Sequence, residues 1–228
     1  MSAFHHPSYA LLLDYATGNL GEGWSLAVAT HVSMCSTCQE SLAEMEAIGG
    51  AMLAADVKPA ASCDEDLWSR VAACLDDDAP LAKPVAQPAA QSAGTQSVAK
   101  SSVLPAPLRD YLGGDIDALP WRRLGLGAQQ VVIETREPGT TARLLRIPAG
   151  QRVPAHTHRG QELTLVLSGA YHDETGRFAR GDFQELDSDV VHQPHAEQDI
   201  DCICLAITDA PLRFKSLAAQ LAQPLIGI

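Results

Sequence analysis

Aromatic residues are scarce in this 228-residue chain, at 5%, so any core must be built mainly from aliphatic side chains. Long apolar runs are missing too. The stretch Leu163–Leu167 already contains Thr164 and falls far short of the ~20 residues a membrane-spanning helix needs. The first residues, Met1 to Pro7, lack a basic segment followed by an apolar one, so no secretory leader is expected. Basic side chains are in deficit, 16 Lys and Arg against 28 Asp and Glu, for a formal net charge of −12. That balance argues against direct binding to DNA or to an anionic membrane surface. A cytoplasmic location is expected, and disulfides are then improbable.

The acidity is concentrated. Residues 1–78 carry 12 acidic side chains against only Lys58 and Arg70, so an acidic module precedes a nearly neutral one. Six cysteines fall in three pairs, Cys35/Cys38, Cys63/Cys74 and Cys202/Cys204. If Asp64–Leu75 is helical, Cys63 and Cys74 stand about 16 Å apart along its axis, out of disulfide reach. Both are expected to be buried or half-buried small residues.

The organisation is α+β in two domains. Leu11, Leu12, Tyr15 and Ala16 mark a first helix after Pro7-Ser8, stopped by Gly18 to Gly23. Trp24 to Met34 and Ser36 to about Asp56 give two more. A fourth opens on Asp64-Glu65-Asp66, acids that suit a helix N-terminus, with Leu67, Trp68, Val71 and Leu75 as its apolar face. Residues 1–76 are thus a helical domain. Residues 77–103, rich in Ala, Pro, Gln and Ser without apolar periodicity, read as a flexible linker. From residue 104 to 210 short β-branched runs (Val131–Thr135, Thr141–Ile147, Leu163–Leu167, Phe183–Leu186, Asp201–Ile207) alternate with Gly- and Pro-bearing turns. That spacing predicts an antiparallel sandwich or barrel. Residues 211–228 form a tail with a short helix over Leu212–Leu221.

The sharpest signal in the first half is His31-Val-Ser-Met-Cys35-Ser-Thr-Cys38. At 100° per residue these three side chains share one helical stripe. Two thiolates and an imidazole suit zinc, and a closed tetrahedral site needs one more ligand. His6 is the first choice, His5 the second, Cys63 a weaker third. A thioredoxin-like redox pair at Cys35/Cys38 lacks the βαβ context it would need. The pattern resembles the zinc-binding anti-sigma domain. That resemblance implies a structural Zn2+ on His6, His31, Cys35 and Cys38, and a 1:1 complex with an extracytoplasmic-function sigma factor.

The second half contains Gly150-x5-His156-Thr-His158-x3-Glu162-x6-Gly169, with His192 thirty residues beyond Glu162. Residues two apart on a strand share a face, so His156 and His158 point the same way, and three His with one Glu fit zinc, manganese, iron or nickel. This segment resembles the first cupin motif at both glycines, both histidines and the glutamate. Gly181 and His192 match the second motif, whereas Asp187, Asp189 and Ala196 depart from it. The resemblance implies a small antiparallel β-barrel holding a second divalent metal, expected to be Zn2+, on His156, His158, Glu162 and His192. The combined arrangement resembles the ChrR-type anti-sigma factors. It implies a regulator, not an enzyme, that releases its sigma factor on oxidative stress such as singlet oxygen. The alternative is a cupin dioxygenase or isomerase with an accessory zinc module. Cys202 and Cys204, two apart on the last strand, are either oxidant-sensitive thiols near the metal or ordinary core residues.

Overall fold

A computed structural model describes residues 3–56, 65–76, 102–125, 127–157, 159–210 and 213–214. Helix α1 (Tyr9–Ala16) starts where the Ser8 hydroxyl accepts the Leu11 N–H at 3.3 Å, an ordinary N-cap. Helices α2 (Glu22–Val32), α3 (Ser36–Asp56) and α4 (Glu65–Asp76) follow, close to their expected bounds. Gly49-Gly50 does not interrupt α3. A further helix, α5 (Ala106–Leu112), occupies sequence expected to be β. It has a proline in its first turn and ends on Gly113 at φ +73°, the usual helix punctuation, but seven residues are too few to show a clear period.

A 3-10 turn (Ile116–Ala118) and eleven short strands follow among the described residues: β1 (Arg122–Gly125), β2 (Ala128–Ile133), β3 (Thr141–Ile147), β4 (His156–Thr157), β5 (Glu162–Ser168), β6 (Ala170–Asp173), β7 (Gly176–Ala179), β8 (Phe183–Leu186), β9 (His195–Ala196), β10 (Cys202–Thr208) and β11 (Arg213–Phe214). They pair antiparallel as a six-stranded sheet β1-β2-β3-β10-β5-β8, a three-stranded sheet β7-β6-β9, and the pair β11-β4. Of the expected tail, Arg213 and Phe214 are therefore strand and not helix; its remainder lies outside the described residues.

Strands β5 and β10 are buried at every position but the last, because both faces of the sheet are covered. Leu163, Leu165 and Leu167 pack with Ile203, Leu205 and Ile207 on the face met by α2. The alternate residues, Glu162, Thr164 and Val166 with Cys202, Cys204 and Ala206, point into the barrel. Helix α2 approaches closely because it is small where it touches. A Cβ on Gly23 would lie 3.5 Å from the Ile207 side chain, and Ala27 and Val28 are fully buried. Burying a Val or Leu in this way contributes about 1.5–3 kcal/mol.

That packing sets the compact units. Residues 1–46 and 101–228 form one, residues 47–100 the other. The division falls inside α3. The described end of the expected linker is fixed as well: the Asp115 carboxylate accepts the N–H groups of Val103 and Leu104, each at 3.0 Å. Residues 77–100 lie outside the described residues. Among the described residues of the unit 47–100, Ile48, Met52 and Leu53 on α3, and Leu67, Trp68 and Val71 on α4 are exposed, Trp68 to 73%. Cys74 is exposed, contrary to the expectation of burial, because it belongs to this exposed helix. Cys63 lies outside the described residues.

Candidate metal centres

The first centre forms where α2 gives way to α3. The helix breaks at Ser33–Cys35, so His31 lies in the last turn of α2, Cys35 in the turn and Cys38 in the first turn of α3. The single helical stripe expected from the spacing is replaced by a helix–turn–helix corner, which still converges the three side chains. His6 closes the group. Its Nδ1 lies 3.3 Å from Cys35 Sγ and 3.5 Å from Cys38 Sγ, and His31 Nε2 lies 3.3 Å from Cys38 Sγ. All four ligand atoms fall within 4.8 Å of one another. With metal–N near 2.0–2.1 Å and metal–S near 2.3 Å, a tetrahedron separates N from S by about 3.5 Å. The donor set and its spacing fit a zinc-sized cation.

His5, the alternative, faces elsewhere. Its ring packs 4.5 Å from that of Phe178, and its Nδ1 is 3.6 Å from Asp182 Oδ2. His31 is fully buried, and its Nδ1 lies 2.9 Å from the Gly181 carbonyl oxygen. Assigning the proton to Nδ1 leaves the Nε2 lone pair for a metal. Burial lowers the His31 pKa to about 4, and burial together with neighbouring Cys35 raises that of Cys38 to about 12. The imidazole is therefore ready as a neutral ligand, whereas the thiols must lose protons when a cation enters.

The second centre lies in the barrel. His156, Glu162 and His192, all buried, bring their ligand atoms within 4.8 Å of one another; His158 lies outside the described residues. The two Nε2 atoms of His156 and His192 are 3.0 Å apart, and Glu162 Oε2 is 3.9 Å from His192 Nε2. His156 Nδ1 faces the Pro154 carbonyl at 2.8 Å and His192 Nδ1 faces Asp173 Oδ2 at 2.9 Å. Both acceptors call for an Nδ1 proton, so the neutral rings turn their Nε2 lone pairs toward each other, an arrangement a cation between them satisfies. Gly169 shapes the opposite end of β5 from Glu162: it has φ +69°, and a Cβ there would meet the Asp201 carbonyl oxygen at 2.6 Å.

Asp173 supports the site without a motif to announce it. Burial pushes its carboxyl up, yet hydrogen bonds from His192, Gln184 and Thr175 outweigh that and hold it well below the usual carboxylate range. Only the Glu174-Thr175-Gly176 turn was visible around it in sequence. Cys202 and Cys204 are buried on the inner face of β10. A hydrogen bond with Cys202, then burial, pushes the Cys204 thiol well above its ordinary range. The thiolate is the reactive form, so this position favours an inert thiol.

Fold and centres together define a cupin barrel carrying a helical module tied by a two-His, two-Cys knot. A model of the ChrR cupin-like domain matches residues 111–210. The anti-sigma-E factor ChrR of Cereibacter sphaeroides is 44% identical over 228 residues, the whole of both chains. A crystal structure of Rhodobacter sphaeroides SigE in complex with the anti-sigma ChrR contains a chain 42% identical to this one. The match covers 90% of this chain and 98% of that one, with a TM-score of 0.73. The chain belongs to the ChrR family of anti-sigma factors. It is a regulator, and the reading as a cupin dioxygenase or isomerase falls away. No helix among the described residues is long and apolar enough to cross a membrane.

Proposed function

We propose that this chain holds an extracytoplasmic-function sigma factor inactive in a 1:1 complex in the cytoplasm and releases it under oxidative stress such as singlet oxygen. Full-length likeness to ChrR supports the partner class. The single structural observation carrying the reading is the convergence of His6, His31, Cys35 and Cys38 at tetrahedral spacing. In this reading a structural Zn2+ on those four residues fixes the corner between α2 and α3. Residues 1–76 are the sigma-binding module, and the exposed apolar side chains of α3 and α4 belong to it. Residues 77–103 connect it to the cupin, residues 104–210, with residues 211–228 as a tail.

In the cupin, His156, His158, Glu162 and His192 would hold a second divalent metal, which we take to be Zn2+, supplying a Lewis-acidic centre that an oxidant or its product can reach. The chain's own residues do the positioning: Pro154 and Asp173 fix the two imidazoles, and Thr164 donates to Glu162 Oε1 at 3.2 Å. The test is in vitro transcription from a promoter dependent on the cognate sigma factor. One equivalent of the zinc-loaded chain should silence it. Undiminished transcription at several-fold excess would refute the proposal.

A further inference from the structure

The two candidate metal centres meet at one short piece of the barrel, the turn and first half of β8. On one side, the Gly181 carbonyl faces His31 Nδ1 at 2.9 Å. Asp182 Oδ1 accepts the N–H groups of Phe4 at 2.6 Å and His5 at 2.9 Å, and Phe183 N–H donates to the His5 carbonyl at 3.1 Å. These bonds clamp residues 4 and 5 to the barrel and so deliver His6 to the thiols. On the other side, successive strand residues face opposite ways. Phe183 lies under the helices, its ring 5.6 Å from that of His31. Gln184 turns into the barrel, where its Nε2 donates to Asp173 Oδ2 at 2.9 Å. The same Oδ2 accepts from His192 Nδ1. Asp182, Gln184, His31 and His192 are all at most 5% exposed, so solvent does not take over these bonds.

We propose that Gly181–Gln184 is a shared support for both metal centres, so that filling one tightens the other. The inference rests on the metal reading above. Gly181 and Asp182 orient ligands of the first centre, and Gln184, through Asp173, orients His192 of the second. Partners of this kind affect metal affinity by about 10–100-fold. An N-terminal segment released from an empty knot withdraws the Phe4 and His5 N–H groups from Asp182 Oδ1 and the His5 carbonyl from Phe183 N–H, the partners that hold the strand's start. The strand then no longer fixes Gln184. By linkage, the effect of one metal on the other must be equal in both directions.

The test uses the full-length chain loaded with zinc. A chelator is added, and maleimide labelling of Cys35 and Cys38 is followed by peptide mass spectrometry as a measure of zinc leaving the knot. Asp182→Ala should speed labelling about 10–100-fold. Gln184→Ala and His192→Ala, which leave every ligand of the knot and its clamp in place, should speed it at least about 5-fold, the low end of ordinary coupling. Leu145→Ala, a barrel change away from the segment, should leave it at the wild-type rate. Labelling at the wild-type rate in Gln184→Ala and His192→Ala would overturn the coupling, as would equal acceleration by Leu145→Ala. A wild-type chain that labels at once, with or without chelator, would overturn the metal reading itself.

Discussion

Replacing Cys38 with alanine removes a sulfur that lies close to both imidazoles of the knot, 3.3 Å from His31 Nε2 and 3.5 Å from His6 Nδ1. The methyl side chain still fits a position only 2% exposed, so the change is a loss of one ligand and little else. Apparent binding energies of structural zinc sites run to about 10–16 kcal/mol, and dividing that among four ligands assigns each about 2.5–4 kcal/mol. One lost ligand therefore weakens zinc binding by about 10²–10³-fold. Competition against a chromogenic chelator should show the variant one zinc equivalent short under conditions where the wild type is full. The same preparation should fail to retain the sigma factor in a pull-down, because the α2–α3 corner is no longer fixed. A Cys38→Ala chain that keeps its full zinc content against the chelator, or binds the sigma factor normally without it, would refute the reasoning.

Gly181→Ala places an L residue at φ +94°, where strain costs about 1–3 kcal/mol; thermal unfolding should show that loss. In the metal-free chain, His31 titrates near pH 4 when folded against 6.5 when unfolded. The unfolded chain thus binds the extra proton first, and stability falls as pH drops from about 6.5 to about 4, by about 3 kcal/mol in all; His31→Gln should remove most of that slope in urea unfolding followed across this range. His158→Ala should leave repression intact and abolish induction by a photosensitiser in a sigma-dependent reporter strain; full induction would exclude the cupin metal from the sensing step.

Much of the fold was legible in the sequence because its local signals agree with its tertiary packing. Ser8 caps where the apolar period begins, and strands β3 and β8 begin and end where their β-branched and turn residues say. The knot was legible because thiols and an imidazole at this spacing have few other uses. Three things were not. The helix breaks between His31 and Cys35, which a 3.6-residue period cannot reveal. The reason for His6 over His5 lies with Asp182, a residue 176 positions from His6 that accepts two backbone N–H groups from the N-terminal segment. Asp173 is invisible for the same reason: its partners Gln184 and His192 come from elsewhere in the chain.

The most direct test of the central claim is native mass spectrometry of the full-length chain co-expressed with its extracytoplasmic-function sigma factor. The account requires a 1:1 complex containing two metal ions, and a Cys35→Ala/Cys38→Ala chain recovered without the sigma factor and with one metal fewer. A metal-free complex, or one that survives the double substitution undiminished, would contradict it.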